Sequence, residues 1–245
     1  MSEQNKVAIV TGASRGIGAA IAERLARDGF TVIVNYAGNA EAAQKVVQEI
    51  EKQGGRAVAA QADVSDANAV KRMFDSAESA FGGVDVLVNN AGILDNAPLA
   101  EVSDESFDRQ IAINLKGTFN GLREAAKRLR KGGRIVNFSS SVVGLYQPNY
   151  AVYAATKAAV EAMTHVLSKE MRGRSITVNA VAPGPTGTEL FLNGKPQAVI
   201  DTLAKLSPLE RLGQPADIAA AVAFLAGPDG AWINGQTLRA NGGVI

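Results

Sequence analysis

Short runs of apolar, often β-branched residues alternate along this chain with longer segments whose apolar residues recur at helical spacing. Most of the short runs are predominantly apolar and do not alternate apolar with polar positions, which is typical of strands covered on both faces. The predicted strands are Val7–Val10, Thr31–Val34, Ala57–Ala60, Val84–Val88, Ile135–Phe138, Ile176–Val181 and Gln236–Leu238. The predicted helices are Ile17–Arg27, Ala40–Gln53, Ala67–Phe81, Ser106–Leu129, Val152–Met171 and Ala216–Leu225.

This order of elements predicts the α/β fold class. Strands alternating with helices, and joined by right-handed crossovers, form a parallel sheet with helices on both faces. A chain of 245 residues is long enough for one such domain with a buried core. No repeat, low-complexity tract or linker divides the chain, so we expect a single domain over residues 1–245.

Two segments interrupt the alternation. The stretch from Pro183 to about Pro208 holds four prolines and no clear strand. Long irregular insertions in compact domains are usually binding segments or lids, so we interpret residues 183–212 as a candidate substrate loop. The tail from Gly235 to Ile245 carries the last predicted strand, and tails of this kind often pack against another subunit.

Composition excludes several classes of function. The chain has 25 basic and 24 acidic side chains, a balance that argues against nucleic-acid binding and against a membrane-surface patch. It has no cysteine and one histidine, which argues against disulfides, thiolate catalysis and clustered metal ligands. Residues Met1–Lys6 are polar and resemble no signal peptide, and no apolar run approaches the ~20 residues of a membrane span. We therefore expect a cytoplasmic protein without a metal site.

A glycine-rich turn follows the first predicted strand and precedes the first predicted helix. Its spacing over Thr11–Gly18 is Gly-x-x-x-Gly-x-Gly, which differs from both Gly-x-Gly-x-x-Gly and the P-loop. Such glycines let the backbone approach a pyrophosphate at a helix N-terminus, although some glycine turns are only tight connections. The candidate phosphate-binding residues are Gly12, Ser14, Arg15, Gly16, Ile17 and Gly18.

The end of the second predicted strand bears on cofactor choice. NAD-selective folds place an acidic residue there to bind the ribose hydroxyls. In this chain that position falls at Asn35 or Tyr36, and neither is acidic. Arg15, in the glycine turn, is suited to pair with a 2′-phosphate; the alternative interpretation is a solvated surface charge. We predict NADP rather than NAD.

Polar residues also follow the third and fourth predicted strands, at the edge where parallel strands end together. Asp63 and Val64 follow the third strand, and Asp63 is placed to accept a hydrogen bond from an adenine amino group. After the fourth strand come Asn89, a candidate turn cap, and then Asn90, Ala91 and Gly92. Asn114 lies inside a predicted helix, where it either satisfies the backbone or distorts it to hold a water.

Tyr153 and Lys157 are four residues apart in a predicted helix and therefore share a face. An ammonium beside a phenol lowers the tyrosine pKa from its usual value of about 10, which suits general acid/base work. The pair by itself also occurs by chance in many proteins. His165 lies twelve residues beyond Tyr153, about 18 Å along a helix, so we interpret it as structural.

Several motifs, in their order and spacing, resemble the short-chain dehydrogenase/reductase family. They are the glycine turn Thr11–Gly18, Asn89–Gly92, Asn114, the serine run Ser139–Ser141, the Tyr153/Lys157 pair and Pro183-Gly184. This resemblance covers nearly the whole chain. It implies a Rossmann-like, doubly wound sheet of seven mostly parallel strands, NADP(H) as cofactor, a small carbonyl or alcohol substrate and a homotetramer. Tyr153 would donate the proton, Lys157 would bind the nicotinamide ribose, and Asn114 would hold a relay water.

The resemblance leaves the catalytic serine open between two neighbours. Counting thirteen residues back from Tyr153 indicates Ser140, whereas a Ser-x-x-Gly pattern ending at Gly144 indicates Ser141. Further cofactor contacts implied by the resemblance are Pro183, Gly184, Thr186 and Thr188; the two threonines could instead only cap their segment.

Within the family, the chain is most similar to 3-oxoacyl-carrier-protein reductases and related NADPH-dependent carbonyl reductases. The pocket is expected to be hydrophobic, which would suit an acyl chain, a steroid, an aromatic ketone or a quinone. Its predicted apolar residues are Val142, Val143, Leu145, Tyr146, Leu190, Phe191 and Leu192. The alternatives are an alcohol-oxidising dehydrogenase of the family and a low-turnover NADP(H) sensor.

Overall fold

Seven parallel strands form the centre of the computed structural model, which describes residues 6–245. Their order across the sheet is β3-β2-β1-β4-β5-β6-β7, so the winding reverses between β1 and β4. The predicted Rossmann-like, doubly wound α/β sheet is confirmed. Residues Met1–Asn5, part of the polar stretch in which no signal peptide was recognised, lie outside the described residues. The strands are β1 Val7–Val10, β2 Thr31–Tyr36, β3 Arg56–Gln61, β4 Val86–Asn89, β5 Arg134–Phe138, β6 Thr177–Pro183 and β7 Thr237–Ala240.

Helices cover both faces of this sheet. In the described residues they are α1 Gly16–Arg27, α2 Ala40–Lys52, α3 Ala67–Phe81, α4 Asp104–Gln110, α5 Gly117–Arg128, α6 Val142–Leu145, α7 Ala151–Glu170, α8 Glu189–Leu192, α9 Gln197–Lys205 and α10 Pro215–Ala226. A short 3₁₀ turn spans Leu99–Glu101. No helix among residues 6–245 has both the length and the apolar character needed to cross a membrane.

The helix predicted over Ser106–Leu129 is present as a continuous helical stretch from Asp104 to Arg128, but it is not a regular α-helix throughout. A π-helical turn at Ile111–Lys116 separates α4 from α5. The side chain of Asn114 accepts a hydrogen bond from the N–H of Ile93 at 2.8 Å and donates one to the Ile93 carbonyl at 2.9 Å. The wider turn thus accompanies the docking of a buried amide against the chain after β4, and π-turns are frequent at functional sites.

The segment expected to be irregular contains α8 and α9. Thr188 caps α8 by accepting a hydrogen bond from the N–H of Phe191 at 3.3 Å. Two backbone hydrogen bonds close the base of the segment: Gly187 N–H to the Gly213 carbonyl at 2.8 Å, and Gly213 N–H to the Pro185 carbonyl at 2.9 Å. The candidate substrate loop therefore contains two helices, and backbone hydrogen bonds join its two ends.

The core consists of one apolar cluster on each face of the sheet. Along β1, Ala8 and Val10 pack into the cluster under α1 and α10, while Val7 and Ile9 pack into the other. Both faces are thus buried, as the continuous apolar runs predicted. Each large buried side chain contributes about 1.5–3 kcal/mol, so the strand ends that carry the polar residues are held in a fixed arrangement.

Candidate active site

A cleft of about 800 Å³ opens along the carboxyl ends of the strands, where the winding reverses. In open α/β sheets this crevice is where ligands bind. All of the predicted site residues except Asn114 line it. The predicted residues lining the cleft are Gly12, Ser14, Arg15, Gly16, Ile17, Gly18, Asn35, Tyr36, Asp63, Val64, Asn90, Ala91, Gly92, Ser140, Ser141, Tyr153, Lys157, Pro183, Gly184, Thr186 and Thr188.

The glycine turn is packed too tightly for side chains. A Cβ on Gly18 would lie 2.3 Å from the Gly12 carbonyl oxygen and 2.6 Å from Nδ2 of Asn90. The same Asn90 amide donates to the carbonyls of Thr11 and Gly12, at 2.9 and 3.1 Å. Asn90 therefore holds the turn in the shape that brings its backbone to the cleft.

Helix α1 begins in this turn, and its first three residues line the cleft. Arg15, at the N-cap position, makes no side-chain capping hydrogen bond, and the first turn holds no acidic residue. The first N–H groups of a helix lack intrahelical partners and attract anions. The glycine turn and the N-terminus of α1 therefore fit the pyrophosphate of a dinucleotide.

Asn35, one of the two residues predicted at the ribose position, also holds the strand ends together. Its buried amide accepts the N–H of Gly12 at 3.2 Å and donates to the carbonyls of Ala60 and Ala62, at 3.2 and 3.0 Å. These contacts tie the ends of β2 and β3 to the glycine turn. The contact of Asn35 with the cofactor stays a prediction, and Tyr36 and Arg15 line the cleft as further candidates.

Arg15 reaches across the cleft to the substrate loop. Its Nη1 lies 3.0 Å from Oε2 of Glu189, and both side chains are about 70% exposed. Exposed ion pairs stabilise little, typically about 0–1 kcal/mol, so a phosphate dianion could displace this carboxylate.

Asp63 and Val64 flank the part of the cleft beyond β3. Asp63 Oδ1 accepts hydrogen bonds from the backbone N–H and the hydroxyl of Ser65, at 2.8 and 2.7 Å. Val64 is buried against Gly117, where a Cβ would come 2.6 Å from Val64 Cγ2. Asn89, by contrast, is buried below the cleft and donates to Asn137 at 2.9 Å, so its role is structural.

The two candidate serines make different contacts. The Ser140 hydroxyl is in polar contact with the Tyr153 phenol, and this contact acts to lower the pKa of Tyr153. Ser141 is buried, and its hydroxyl donates to the Ala182 carbonyl at 3.3 Å. This geometry favours Ser140 as the serine available to a substrate.

The expected lowering of the Tyr153 pKa by Lys157 is wrong for this structure. Burial raises the pKa of Tyr153 to about 12, despite the contact with Ser140. Burial also lowers the pKa of Lys157 to about 8. The Lys157 ammonium donates to the Phe138 carbonyl at 2.9 Å and lies 5.5 Å from the centre of the tyrosine ring. Desolvation therefore outweighs the favourable charge that the four-residue spacing suggested.

Asn114 lies just outside the cleft wall. A Cβ on Gly92 would lie 3.2 Å from Asn114 Oδ1 and 3.6 Å from Lys157 Nζ, so both groups adjoin this glycine. Because the Asn114 amide already clamps Ile93, its role in holding a relay water stays a prediction.

The apolar part of the cleft differs from the predicted set. Val142, Leu145, Leu190 and Phe191 line it, whereas Val143, Tyr146 and Leu192 do not. Tyr146 is 83% exposed and lines a separate outer groove with Val143. Among the lining side chains that the sequence interpretation missed are Ile93, Leu94, Arg109, Ile113, Phe138, Gln147, Tyr150, Glu189 and Leu203.

Of these, Tyr150 carried a signal in the sequence, because it precedes Tyr153 by three residues and so lies on the same turn. His165 lies outside the cleft, in an exposed hollow with Lys169 and Arg172.

A family model described as enoyl-(acyl carrier protein) reductase matches residues 12–245 of the chain. A short-chain type dehydrogenase/reductase of Picea abies is 47% identical, over 98% of this chain and 92% of its own length. An NADPH-dependent aldehyde reductase-like protein of Arabidopsis thaliana, described as chloroplastic, is 46% identical, over 98% and 94% of the two chains. A crystal structure of a short chain dehydrogenase from Burkholderia cenocepacia J2315 in complex with NADP is 42% identical, with a TM-score of 0.93 and 98% of each chain covered.

Proposed function

The chain belongs to the short-chain dehydrogenase/reductase family, as an oxidoreductase that uses NADP(H), and from there we propose that it reduces a hydrophobic ketone to an alcohol with Tyr153 as proton donor. The relatives support carbonyl reduction in general. A 3-oxoacyl thioester or another hydrophobic carbonyl is our proposal for the substrate, supported by the apolar side chains of the cleft.

The residues present fit the cofactor. The glycine turn would hold the pyrophosphate, Arg15 and Tyr36 the 2′-phosphate, and Asp63 with Val64 the adenine. Lys157 would hold the nicotinamide ribose, and Thr186 with Thr188 the carboxamide. When bound, NADPH supplies a hydride, that is, a hydrogen nucleus with two electrons, to the carbonyl carbon.

The chain's own residues then act on the carbonyl oxygen. As the new C–H bond forms, the π electrons of the carbonyl move to its oxygen, which gains negative charge. Donors aimed at that oxygen stabilise the charge, and Ser140 and Tyr153 share one side of the cleft. Tyr153 transfers its proton to the oxygen, so the products are the alcohol and NADP⁺.

The placing of Tyr153 in the cleft, in contact with the Ser140 hydroxyl and with Lys157 Nζ 5.5 Å from the centre of its ring, is the observation that supports this proposal. A phenol with a pKa of about 12 is protonated at neutral pH and can serve as a donor. Alcohol oxidation would require the same group to accept a proton, for which the phenolate must form first. Burial therefore keeps Tyr153 in the protonated form that carbonyl reduction requires.

The test follows the loss of NADPH absorbance with a panel of ketones and aldehydes. Tyr153→Phe should lower kcat by roughly 10²–10⁴-fold, because the ring remains and the proton is lost. The dissociation constant for NADPH should stay within about twofold, since the phenol is not needed for the pyrophosphate cradle.

Tyr146→Phe is the matched control, because that tyrosine lies outside the cleft and should keep full activity. Unchanged turnover in Tyr153→Phe would remove the proton-donor role. NADPH binding without turnover of any carbonyl would point to the sensor alternative instead.

A further inference from the structure

A second tyrosine, Tyr150, stands one helical turn before Tyr153 and lines the same cleft. It occupies the position just before α7, where its carbonyl accepts the N–H of Ala154 at 2.7 Å. The two phenol rings meet edge to face, with centroids 6.4 Å apart and ring planes at 69°. Backbone and ring contacts thus hold Tyr150 beside the reacting centre, although the reaction above gives it no step.

Tyr150 also lies between the cleft and a second groove on the surface. It and Gln147 line both the cleft and a separate outer groove. The outer groove is bounded by Pro98, Leu99, Val143, Tyr146, Pro148, Asn149, Ala151, Ala154, Ala155 and Ala158. Because its ring is half-buried, Tyr150 keeps exposed aromatic surface while being fixed between the two hollows.

The cleft wall also contains aliphatic side chains. Leu94, Val142 and Leu145 are among the residues that line the same cleft as Tyr150. Aliphatic walls favour any hydrophobic group of the right size through burial of apolar surface. An aromatic ring adds a preference for other aromatic rings, because edge-to-face and offset contacts match the positive edge of one ring to the negative face of the other. Tyr150 is the wall residue closest in sequence to the proposed proton donor that can make this distinction.

We propose that Tyr150 is a specificity-determining residue that selects flat aryl ketones, by packing against the ring attached to the carbonyl that Ser140 and Tyr153 bind. This inference rests on the proposed carbonyl reduction and narrows its substrate class.

A pair of ketones with the same skeleton tests the proposal. Acetophenone carries an aromatic ring beside its carbonyl, and cyclohexyl methyl ketone carries a saturated ring in the same place. Steady-state kcat and KM are measured for both, with NADPH saturating, in wild type, Tyr150→Leu and Tyr150→Phe. Comparing each variant with wild type cancels the intrinsic difference in reactivity between the two ketones.

Tyr150→Leu should lower kcat/KM for acetophenone roughly three- to tenfold, mainly through KM, and should change the value for cyclohexyl methyl ketone by less than about twofold. Tyr150→Phe should keep the wild-type preference, because it keeps the ring. Tyr146→Leu is the matched control. That tyrosine lies outside the cleft, so neither ketone should be affected.

A binding measurement separates this proposal from the proposed function. The product alcohols, 1-phenylethanol and 1-cyclohexylethanol, are titrated calorimetrically into enzyme loaded with NADP⁺. If the aromatic alcohol binds more tightly, if this preference depends on Tyr150, and if no ketone is turned over, the role of Tyr150 is supported and the reductase proposal is refuted.

Three outcomes would overturn the inference. One is an equal loss for both ketones in Tyr150→Leu, which would show a packing role alone. Another is an unchanged aryl preference in that variant. The third is a wild-type enzyme without an aromatic preference: it does not favour acetophenone over cyclohexyl methyl ketone in turnover, and it does not favour 1-phenylethanol over 1-cyclohexylethanol in binding.

Discussion

Two adjacent serines at the end of β5 differ in what their hydroxyls contact. Ser140 faces Tyr153, whereas Ser141 anchors the start of α6 to the Ala182 carbonyl. Removing a donor from an oxyanion site costs roughly 10²–10³-fold in kcat, so we expect that loss in Ser140→Ala. Ser141→Ala should lose about 0.5–1.5 kcal/mol of unfolding free energy and keep most of its turnover.

Steady-state kinetics and urea unfolding of both variants check this prediction. The NADPH dissociation constant is the control and should be unchanged in both. A larger loss of kcat in Ser141→Ala would assign the catalytic serine to the other position.

The buried lysine should make stability depend on pH. Burial lowers the pKa of Lys157 from 10.5 to about 8, so between these values the unfolded chain binds more protons than the folded chain. Stability must then rise with pH across this window. The rise should be roughly 2–3 kcal/mol between pH 7.5 and 10 for the cofactor-free chain. Tyr153, whose pKa is raised from 10.0 to about 12, acts in the opposite direction and only above pH 10.

Urea unfolding at pH 7.5 and pH 10 provides the measurement, with Lys157→Met as the comparison. Other lysines titrate in both proteins, so the difference between wild type and Lys157→Met isolates the buried group. Parallel pH profiles for the two proteins would show that Lys157 is not desolvated as the structure indicates.

At the level of elements, the junction of β1 and α1 leaves no room for a methyl group. A Cβ on Gly18 would stand 2.3 Å from the Gly12 carbonyl oxygen, so Gly18→Ala must displace the turn. We expect it to weaken NADP⁺ binding by roughly 100-fold or more, because the helix N-terminus then no longer fits the pyrophosphate.

Gly29→Ala is the control for this prediction. Gly29 has a φ of +93° but no atom within 4 Å of an added Cβ, so its substitution strains the backbone without a clash. It should cost about 1–2 kcal/mol of stability and leave the NADP⁺ dissociation constant unchanged. Equal NADP⁺ affinity in the two variants would contradict the role of the turn.

For the whole molecule, we expect cofactor binding to raise stability, and Arg15 links the glycine turn to Glu189 of the candidate substrate loop. A ligand at 100 times its dissociation constant adds about 2.7 kcal/mol, which for a chain of this size raises Tm by roughly 5–10 °C. We expect such a shift with NADP⁺ and a smaller one with NAD⁺ at the same concentration. Arg15→Ala should reduce the NADP⁺ shift to that of NAD⁺, because the 2′-phosphate loses its guanidinium.

Glu189→Gln tests the other side of this ion pair. It releases Arg15 without removing it, so the NADP⁺ shift should be kept or increased. Equal shifts with the two cofactors in wild type would refute the role of Arg15. The homotetramer and the cytoplasmic location stay predictions, and one of the relatives compared above is described as chloroplastic.

Much of the fold could be read from local patterns. Continuous apolar runs such as Val7–Val10 specify strands covered on both faces, because an unpaired polar side chain there would be buried away from water. The glycine turn and the Tyr153/Lys157 spacing are equally local, since a turn depends on its own glycines and a helix face on its own period. These features by themselves determined the α/β class, the position of the cleft and the class of cofactor.

Tertiary contacts determined the features of the site that no local sequence pattern shows. The π-helical turn depends on Asn114 meeting Ile93, 21 residues away, and the choice between the serines depends on Ser141 meeting Ala182, 41 residues away. The pKa of Tyr153 is raised because the assembled fold removes water from the phenol, whereas the sequence shows only that a lysine lies four residues on. Periodicity fixes which residues share a face, but desolvation and long-range hydrogen bonds arise only when distant segments pack together.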